Sequence, residues 1–497
     1  MRERELKLAL PGRFSLPPLT LDGRTLEATA LTDLDMRATY FDTPDLRLAR
    51  HGVTLRYRTG EQDVPGWTLK LPAGAHDGEL SRDELHFDGL RRDPPAQARS
   101  LVTAYVRAAE LNAVATLRTK RRRWRLADGD DELAEVADDE VSVLEGRRVV
   151  SRFRELEVEA LSDDAPIGRL AEQLRHAGAI DADPIPKVVR ALGSRATAPP
   201  DARFFAPKDA TMADALAFAV ADALGRLMAN DPLARLGSVE GVHQLRVSLR
   251  RLRSDLATLE PFVEPIWHAR IEPELRRIGR AVGAVRDLDV LNCRLRQDLA
   301  DAPGSLDPLL AELDARRGTA RAAMVLALDH PAYAALLEEL VSAVERPPVT
   351  AAAETSAEDT LPNLVLNAWS ALERRATALK AGSEDERFHR TRIEVKRTRY
   401  AAELASRIMT PRRAAGAEKL AAKLASAQDQ LGIIQDVAVA ESVVRDGVGR
   451  TIIEPQATLQ AGILLERGRG RATAARNGFL SGWSDLRRHR WRRWLEA

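Results

Sequence analysis

The hexapeptide Val53-Thr54-Leu55-Arg56-Tyr57-Arg58 alternates with period two: Val53, Leu55 and Tyr57 share one face, Thr54, Arg56 and Arg58 the other. Successive side chains of an extended chain point to opposite sides, so this is the pattern of a strand with two chemically different faces. The alternation recurs in both directions. Thr68 and Lys70 oppose Trp67, Leu69 and Leu71; Glu3, Glu5 and Lys7 oppose Arg4, Leu6 and Leu8; and Glu155, Glu157 and Glu159 share a face. These polar faces carry charges in groups, with carboxylates near the two ends of the region and cations between. A closed antiparallel barrel gathers such faces around one lumen, because inward positions alternate along every strand. A solvated outer face laced with weak cross-strand ion pairs accounts for any one strand taken alone; the ordered set favours a polar lumen.

The 497 residues suggest about two to four domains, and 44% hydrophobic residues suffice for sizeable cores. With 75 basic and 74 acidic side chains the net charge is +1, so bulk charge names no anionic partner and local clustering must carry any electrostatic argument. Arginine dominates lysine, which suits bidentate recognition of phosphate or carboxylate and is equally what arginine-rich codon usage produces. The single cysteine, Cys293, excludes an internal disulfide and a cysteine-cluster metal site. Residues 1–10 are charged from the second position and do not read as a signal peptide. The most apolar stretch, 213–224, is interrupted by Asp214 and Asp222 and falls short of the about 20 apolar residues that span a bilayer. A soluble, cytoplasmic protein with no membrane partner is expected. The texture changes near residue 200, where short alternating segments give way to long Ala-, Leu- and Arg-rich helical ones. This predicts a first domain over 1–195, a linker over 196–210 and a helical domain over 211–497, with halves at about 211–345 and 360–497.

The first region resembles the CYTH domains, the triphosphate tunnel metalloenzymes. The resemblance rests on Glu3-Arg4-Glu5-Leu6-Lys7, then Tyr40-Phe41-Asp42-Thr43-Pro44, Leu55-Arg56-Tyr57-Arg58, Trp67-Thr68-Leu69-Lys70, Arg82-Asp83-Glu84, the strand from Arg118 onward, Glu135 through Asp139, Glu155-Leu156-Glu157-Val158-Glu159 and Pro186-Lys187, in that order. It implies an eight-stranded antiparallel tunnel that takes a triphosphate end-on. It implies Glu3, Glu5 and Lys7 as catalytic residues, and Glu3, Glu5, Asp139, Glu155, Glu157 and Glu159 as carboxylates for Mg²⁺ or Mn²⁺, hard cations that prefer oxygen ligands. Lys7, Arg56, Arg58, Lys70, Arg82, Arg121, Arg123 and Lys187 are implied as the cations that grip phosphate oxygens. Two assignments stay open at this point. Parity decides which of Arg121-Arg122-Arg123 point inward; the choice of Arg121 and Arg123 leaves Arg118 and Lys120 outside or at the rim. Glu155, Glu157 and Glu159 share a face, so only depth separates ligand from bystander.

The second region contains a repeat. His243-Gln244-Leu245-Arg246 and the following Arg250, Arg251 and Arg253 match His389-Arg390-Thr391-Arg392 and the following Lys396, Arg397 and Arg399. Farther on, Gly283-Ala284-Val285-Arg286-Asp287 matches Gly432-Ile433-Ile434-Gln435-Asp436 in the same order and at similar spacing, the mark of a duplication. At 100° per residue, the histidine and the cations three, seven and ten positions on fall in a stripe roughly 80° wide beside the apolar stripe of Leu245, Leu249, Leu252 and Leu256. Stacked like charges destabilise a free helix, so a stripe found twice makes better sense facing a polyanion. This half resembles the CHAD domains, named for their histidine-containing α-helices. The resemblance implies two four-helix bundles related by a pseudo-twofold axis and a basic surface for inorganic polyphosphate, built here from His243, Arg246, Arg250, Arg251, Arg253, His389, Arg392, Lys396, Arg397 and Arg399. Gln435 departs from the pattern, replacing the arginine found at Arg286. The tail, with Arg487, Arg488, Arg490, Arg492 and Arg493 interleaved by Trp491 and Trp494, has the composition to stack on nucleic-acid bases, but is expected instead to form a terminal amphipathic helix capping the bundle.

The expected fold class is therefore multidomain α+β, a β-tunnel followed by tandem helical bundles. The expected function is metal-dependent hydrolysis of inorganic tripolyphosphate, with the helical half recruiting polyphosphate. The rivals are a non-catalytic, granule-associated polyphosphate binder and an adenylyl cyclase or other organic triphosphatase on the same tunnel. Aromatic residues make up only 4%, which gives no obvious base-stacking platform and speaks against a nucleotide or nucleic-acid partner.

Overall fold

Eight strands form a closed antiparallel barrel: β1 (Arg2–Ala9), β2 (Glu27–Asp42), β3 (Thr54–Thr59), β4 (Gly66–His76), β5 (Glu79–Phe87), β6 (Asn112–Asp128), β7 (Asp131–Glu145) and β8 (Arg148–Ala160). Their order is β8-β7-β6-β2-β3-β4-β5-β1, and the pairing of β1 with β8 closes the ring. A ninth, two-residue strand, β9 (Ile180–Asp181), extends the edge of β1 beside Leu8 and Ala9. The computed structural model describes residues 2–60, 66–76, 79–162, 164–183, 185–300, 306–452 and 454–495, and at 2–3, 73–76 and 79–81 it describes the backbone alone. The chain divides into two compact units, Met1–Asp201 and Ala202–Ala497.

The barrel is inverted relative to a water-soluble sandwich, polar inside and apolar outside. The even positions of β1 and β8, Leu6, Leu8, Leu156 and Val158, turn outward and pack beneath helix α2 (Ile167–His176), whose Ile167, Leu170, Ala171 and Leu174 recur at one, four, five and eight. Each fully buried Leu or Ile stabilises the unit by roughly 1.5–3 kcal/mol. Arg175 and His176 complement the negative C-terminal end of α2, and the chain leaves through Gly178 at φ +104°, which a β-carbon would strain. Helix α1 (Ala96–Val106) buries Leu101, Val102 and Tyr105. The short helix α3 (Lys187–Leu192) packs Val188 and Val189 against Leu117, Val141 and Val143.

The second unit is all helical: α4 (Met212–Arg235), α5 (Val239–Thr258), α6 (Pro265–Asp298), α7 (Asp307–Asp329), α8 (Pro331–Glu345), α9 (Ala357–Thr377), α10 (Asp385–Ile408), α11 (Pro411–Gly447) and α12 (Pro455–Leu486). The duplicated segments fall on α5 and α10 and on α6 and α11. Among the described residues the first half has a fifth helix, α8, packed on α4, so only α4–α7 correspond to α9–α12. The halves join where α5 packs on α10 and where Leu291, Leu295, Leu309 and Leu313 share a core with Ala440, Val444, Ala461 and Leu464. Thr211 begins α4 with a reciprocal capping box to Asp214. The tail is not the helix the sequence suggested. α12 ends at Leu486, and two 3₁₀ turns, His489–Trp491 and Arg493–Leu495, follow, with Trp494 buried.

Candidate active site

Strand register arranges the lumen in rows. Glu5 faces Glu159 across β1 and β8, and Glu159 faces Glu135 across β8 and β7, so three carboxylates lie side by side. In the next row Lys7 faces Glu157. In the third, Glu155 faces Asp139, which faces Arg121 on β6. On the far side Tyr40 faces Arg56, and Lys70 lies between Thr54 and Glu84. The resulting cavity of about 340 Å³ is lined by Glu5, Lys7, Arg56, Arg58, Lys70, Arg82, Arg121, Arg123, Glu157, Glu159 and Lys187, together with Tyr40, Thr54, Glu84, His86, Glu135 and Pro186.

The cations at one end are fixed by buried carboxylates. Lys187 Nζ lies 2.5 Å from Glu157 Oε1, 2.9 Å from Glu155 Oε1 and 2.9 Å from Asp139 Oδ2. Arg121 donates to both oxygens of Asp139, at 2.8 and 2.7 Å, and to Glu157 at 2.5 Å. Lys7 Nζ donates to Glu157 Oε1 at 2.9 Å and lies 3.5 Å from Glu5. Burial opposes the charge on Lys187, but Asp139, Glu155 and Glu157 outweigh it and hold the ammonium well above its ordinary value. Burial likewise opposes the charge on Glu157, and Lys187, Lys7 and Arg121 outweigh it, holding that carboxyl well below its ordinary value. At the other end Glu84 accepts from Lys70 at 2.9 Å; despite burial, Lys70 and Arg56 bring it down to about 2.

Depth sorts the predicted ligands. Asp139 and Glu155 are buried and do not line the cavity; they bind Arg121, Lys187 and Arg190. Glu5, Glu157 and Glu159 reach the lumen, whereas the side chain of Glu3 lies outside the described residues. Arg121 and Arg123 line the cavity, while Arg122 turns outward to Asp138 at 2.6 Å and Arg118 pairs with Asp35. Tyr40, Thr54, Glu84, His86 and Glu135 were not singled out as site residues, although extending the alternation along β5 from Arg82 marks Glu84 and His86 as inward.

In the helical unit the stripe divides. Arg246, Arg250, Arg392 and Lys396 gather where α5 meets α10. Arg246 lies against α6, donating to the Gly279 carbonyl, and a β-carbon at Gly283 would sit 2.6 Å from its guanidinium. The repeat preserves this detail, with Arg392 passing 3.9 Å from the same point on Gly432. Arg250 donates to the Tyr400 hydroxyl at 2.8 Å. Burial, then Arg392, Arg250 and Arg246, lower the Lys396 ammonium to about 7. Other cations of the repeat are tied to carboxylates: Arg251 to Glu403, Arg253 to Glu272 at 3.1 Å, and Arg399 to Glu403 at 2.7 Å. Arg397 is exposed. His389 is 2.7 Å from Gln435 Oε1, whereas His243 is lowered by burial and by Arg286.

Comparison with known proteins bears on both units. Residues 1–183 match the CYTH domain and residues 218–445 the CHAD domain. An uncharacterized protein of Mycobacterium tuberculosis is 31% identical over 432 residues, 81% of this chain and 80% of the relative. The chain belongs to the CYTH–CHAD family. Among solved structures, PptA from Streptomyces chartreusis is 23% identical, covering 55% of this chain and 100% of its own, with a TM-score of 0.47. The CHAD domain from the plant Ricinus communis is also 23% identical, covering 58% and 96%, with a TM-score of 0.46. The residues matched to the CYTH domain form the eight-stranded barrel with its charged lumen, and those matched to the CHAD domain lie in the duplicated helical array. No described helix is long and apolar enough to cross a membrane.

Proposed function

We propose that the CYTH unit hydrolyses inorganic tripolyphosphate to pyrophosphate and phosphate with Mg²⁺ or Mn²⁺, and that the CHAD unit binds inorganic polyphosphate. One observation carries the first half: a cavity of about 340 Å³ whose walls hold eight phosphate-matching cations, Lys7, Arg56, Arg58, Lys70, Arg82, Arg121, Arg123 and Lys187, with a row of carboxylates at one side. The residues fit a hard divalent cation. Glu159 stands directly opposite both Glu5 and Glu135, an arrangement of like charges that a bound cation relieves. Among the described residues no three ligands converge into a closed cage, which suits an ion that takes one or two carboxylates and completes its shell with water and phosphate oxygens. Glu5 and Glu159, with Glu135 beside Glu159, are the residues to hold it. A divalent cation there supplies Lewis-acid polarisation of the phosphoryl oxygens.

The chain's own residues do the positioning. Arginine and lysine side chains around the lumen neutralise the triphosphate oxygens and align the terminal phosphoryl group with an attacking water. The new P–O bond forms to that water as the bridging P–O bond breaks and pyrophosphate leaves. Such a reaction needs placement and charge stabilisation more than covalent help. Lys7, Lys187 and Arg121 are already locked by Glu157, Glu155 and Asp139, so little reorganisation accompanies binding. Among the described residues the one tyrosine of the cavity, Tyr40, is buried in its wall, and the exposed ring at the lumen is the His86 imidazole; the preference for an inorganic substrate over a nucleotide rests on the cations that line the lumen. Replacing Glu5 with Gln tests the assignment. Phosphate release from tripolyphosphate falls about 10²–10³-fold while the melting temperature holds; near wild-type turnover would remove Glu5 from the metal site.

A further inference from the structure

The C-terminal tail concentrates charge that the α5/α10 cluster does not use. Positions 486–495 carry five arginines and one histidine without a carboxylate, in a chain whose basic and acidic residues otherwise balance. Many arginines elsewhere in the helical unit answer carboxylates, as Arg235 answers Asp231, Arg296 answers Asp314 and Arg471 answers Asp298. In the tail, Asp485 takes Arg490 at 2.5 Å and Arg488 at 3.5 Å, while Arg487 and Arg493 have no carboxylate partner among the described residues and are exposed.

The tail is held in place. Trp494 is buried against Gly416 of α11, where a β-carbon would lie 2.5 Å from the indole side chain. The Trp491 ring lies 4.9 Å from Lys423 Nζ and 4.7 Å from the Arg490 guanidinium carbon, and its Nε1 donates to the Asp485 carbonyl at 3.1 Å. Arg412, Gly416, Lys419 and Lys423 fall within roughly 60° on α11, so the face that seats the tail also presents exposed Arg412, Lys419 and Lys423. Like charges so gathered repel, and the tryptophan packing holds them together regardless. Neither indole is open to a base: Trp494 is buried, and the Trp491 ring already carries two cations. Stacking on open aromatic rings is what single-stranded nucleic-acid sites use, so the surface matches a linear polyanion without bases.

We propose that the tail and the opening turns of α11 form a second contact surface for long-chain polyphosphate, separate from the α5/α10 cluster. This rests on the reading that the CHAD unit binds polyphosphate. The test uses the full chain and a fourfold variant, Arg487→Gln, Arg488→Gln, Arg493→Gln and Lys419→Gln, with the corresponding arginine-to-lysine variant (Lys419 unchanged) as a control for folding. Binding of short- and long-chain polyphosphate is measured across a salt series. The glutamine variant should bind long chains at least about tenfold more weakly at low salt, with the slope of log affinity against log salt reduced by about three. Short-chain affinity should hold, and the lysine variant should behave as wild type. Unchanged long-chain affinity and slope would overturn the proposal, leaving a solvated surface. So would single-stranded RNA binding the wild type more tightly than long-chain polyphosphate at the same salt and losing that binding in the glutamine variant. Failure of the reading beneath it looks different: the wild type would bind neither chain length, and both would fall together.

Discussion

The two units treat buried positive charge in opposite ways. In the tunnel Lys7 and Lys187 are buried among carboxylates and their ammonium groups are held above the ordinary lysine value. In the helical unit Lys396 is half-buried among Arg392, Arg250 and Arg246, with Asp436 as a lesser opposing charge, and is brought down to about 7. The same side chain thus has its charge locked in one unit and left open in the other. A compensated cation is placed before the substrate arrives, as electrostatic preorganisation requires. An uncompensated cluster gains its counter-charge when an anion binds, as expected of a site whose task is capture. On the proposed function, the compensated cations serve catalysis and the open cluster serves binding.

The largest expected effect comes from breaking the tunnel's compensation. Glu157→Gln leaves Lys7, Lys187 and Arg121 facing one another without their shared carboxylate and destabilises the CYTH unit by about 3–5 kcal/mol, read by denaturant or thermal unfolding. The sign follows from Glu157's lowered folded value: its contribution is present above the ordinary glutamate value and is lost as pH falls toward the folded one, so variant and wild type converge in acid. The equivalent removal of charge in the helical cluster, Lys396→Met, should not destabilise at neutral pH and should stabilise by about 1 kcal/mol. Losses of equal size in both units would erase the distinction.

A smaller effect is expected in binding. Reversing Arg250 and Lys396 to Glu together should lower polyphosphate affinity by roughly 10²-fold at low salt, whereas reversing Arg375 and Lys380, outside the repeated stripe, should change it only severalfold. Equal losses would mean a response to diffuse charge. The smallest effect is in pH. Lys396 gains its proton as pH falls through about 7, so polyphosphate affinity should rise severalfold over that window. Lys396→Arg, always charged, should flatten the profile; an unchanged profile would detach the pH dependence from this residue.

Much of this was legible from period-two alternation, because one residue's slip in register moves every side chain to the other face. That parity separates Arg121 and Arg123, on the lumen, from Arg122, on Asp138. What alternation does not supply is depth. Glu155, Glu157 and Glu159 share one face, yet only the last two line the cavity, since Glu155 sits in the row with Asp139, beneath Lys187. The helical repeat marked both cation stripes but not their partners. Glu403, on a different helix from Arg251, ties that arginine away from the cluster, and sequence spacing does not show which carboxylates cross between helices. The tail's tryptophans suggested an amphipathic cap; Gly416, which leaves room for Trp494, lies about eighty residues away in sequence, and nothing local signals that contact.

Whether the preorganised lumen serves the hydrolysis of inorganic triphosphate is decided by phosphate release from the two-unit chain. Tripolyphosphate and ATP are compared side by side, with Mg²⁺ and Mn²⁺ in turn and with a chelator as control. Release should be metal-dependent, with a higher kcat/KM for tripolyphosphate than for ATP, and should be retained when Arg250 and Lys396 are both reversed to Glu. Preference for ATP with cyclic AMP as the product, or no release from any triphosphate, would contradict the proposed hydrolysis.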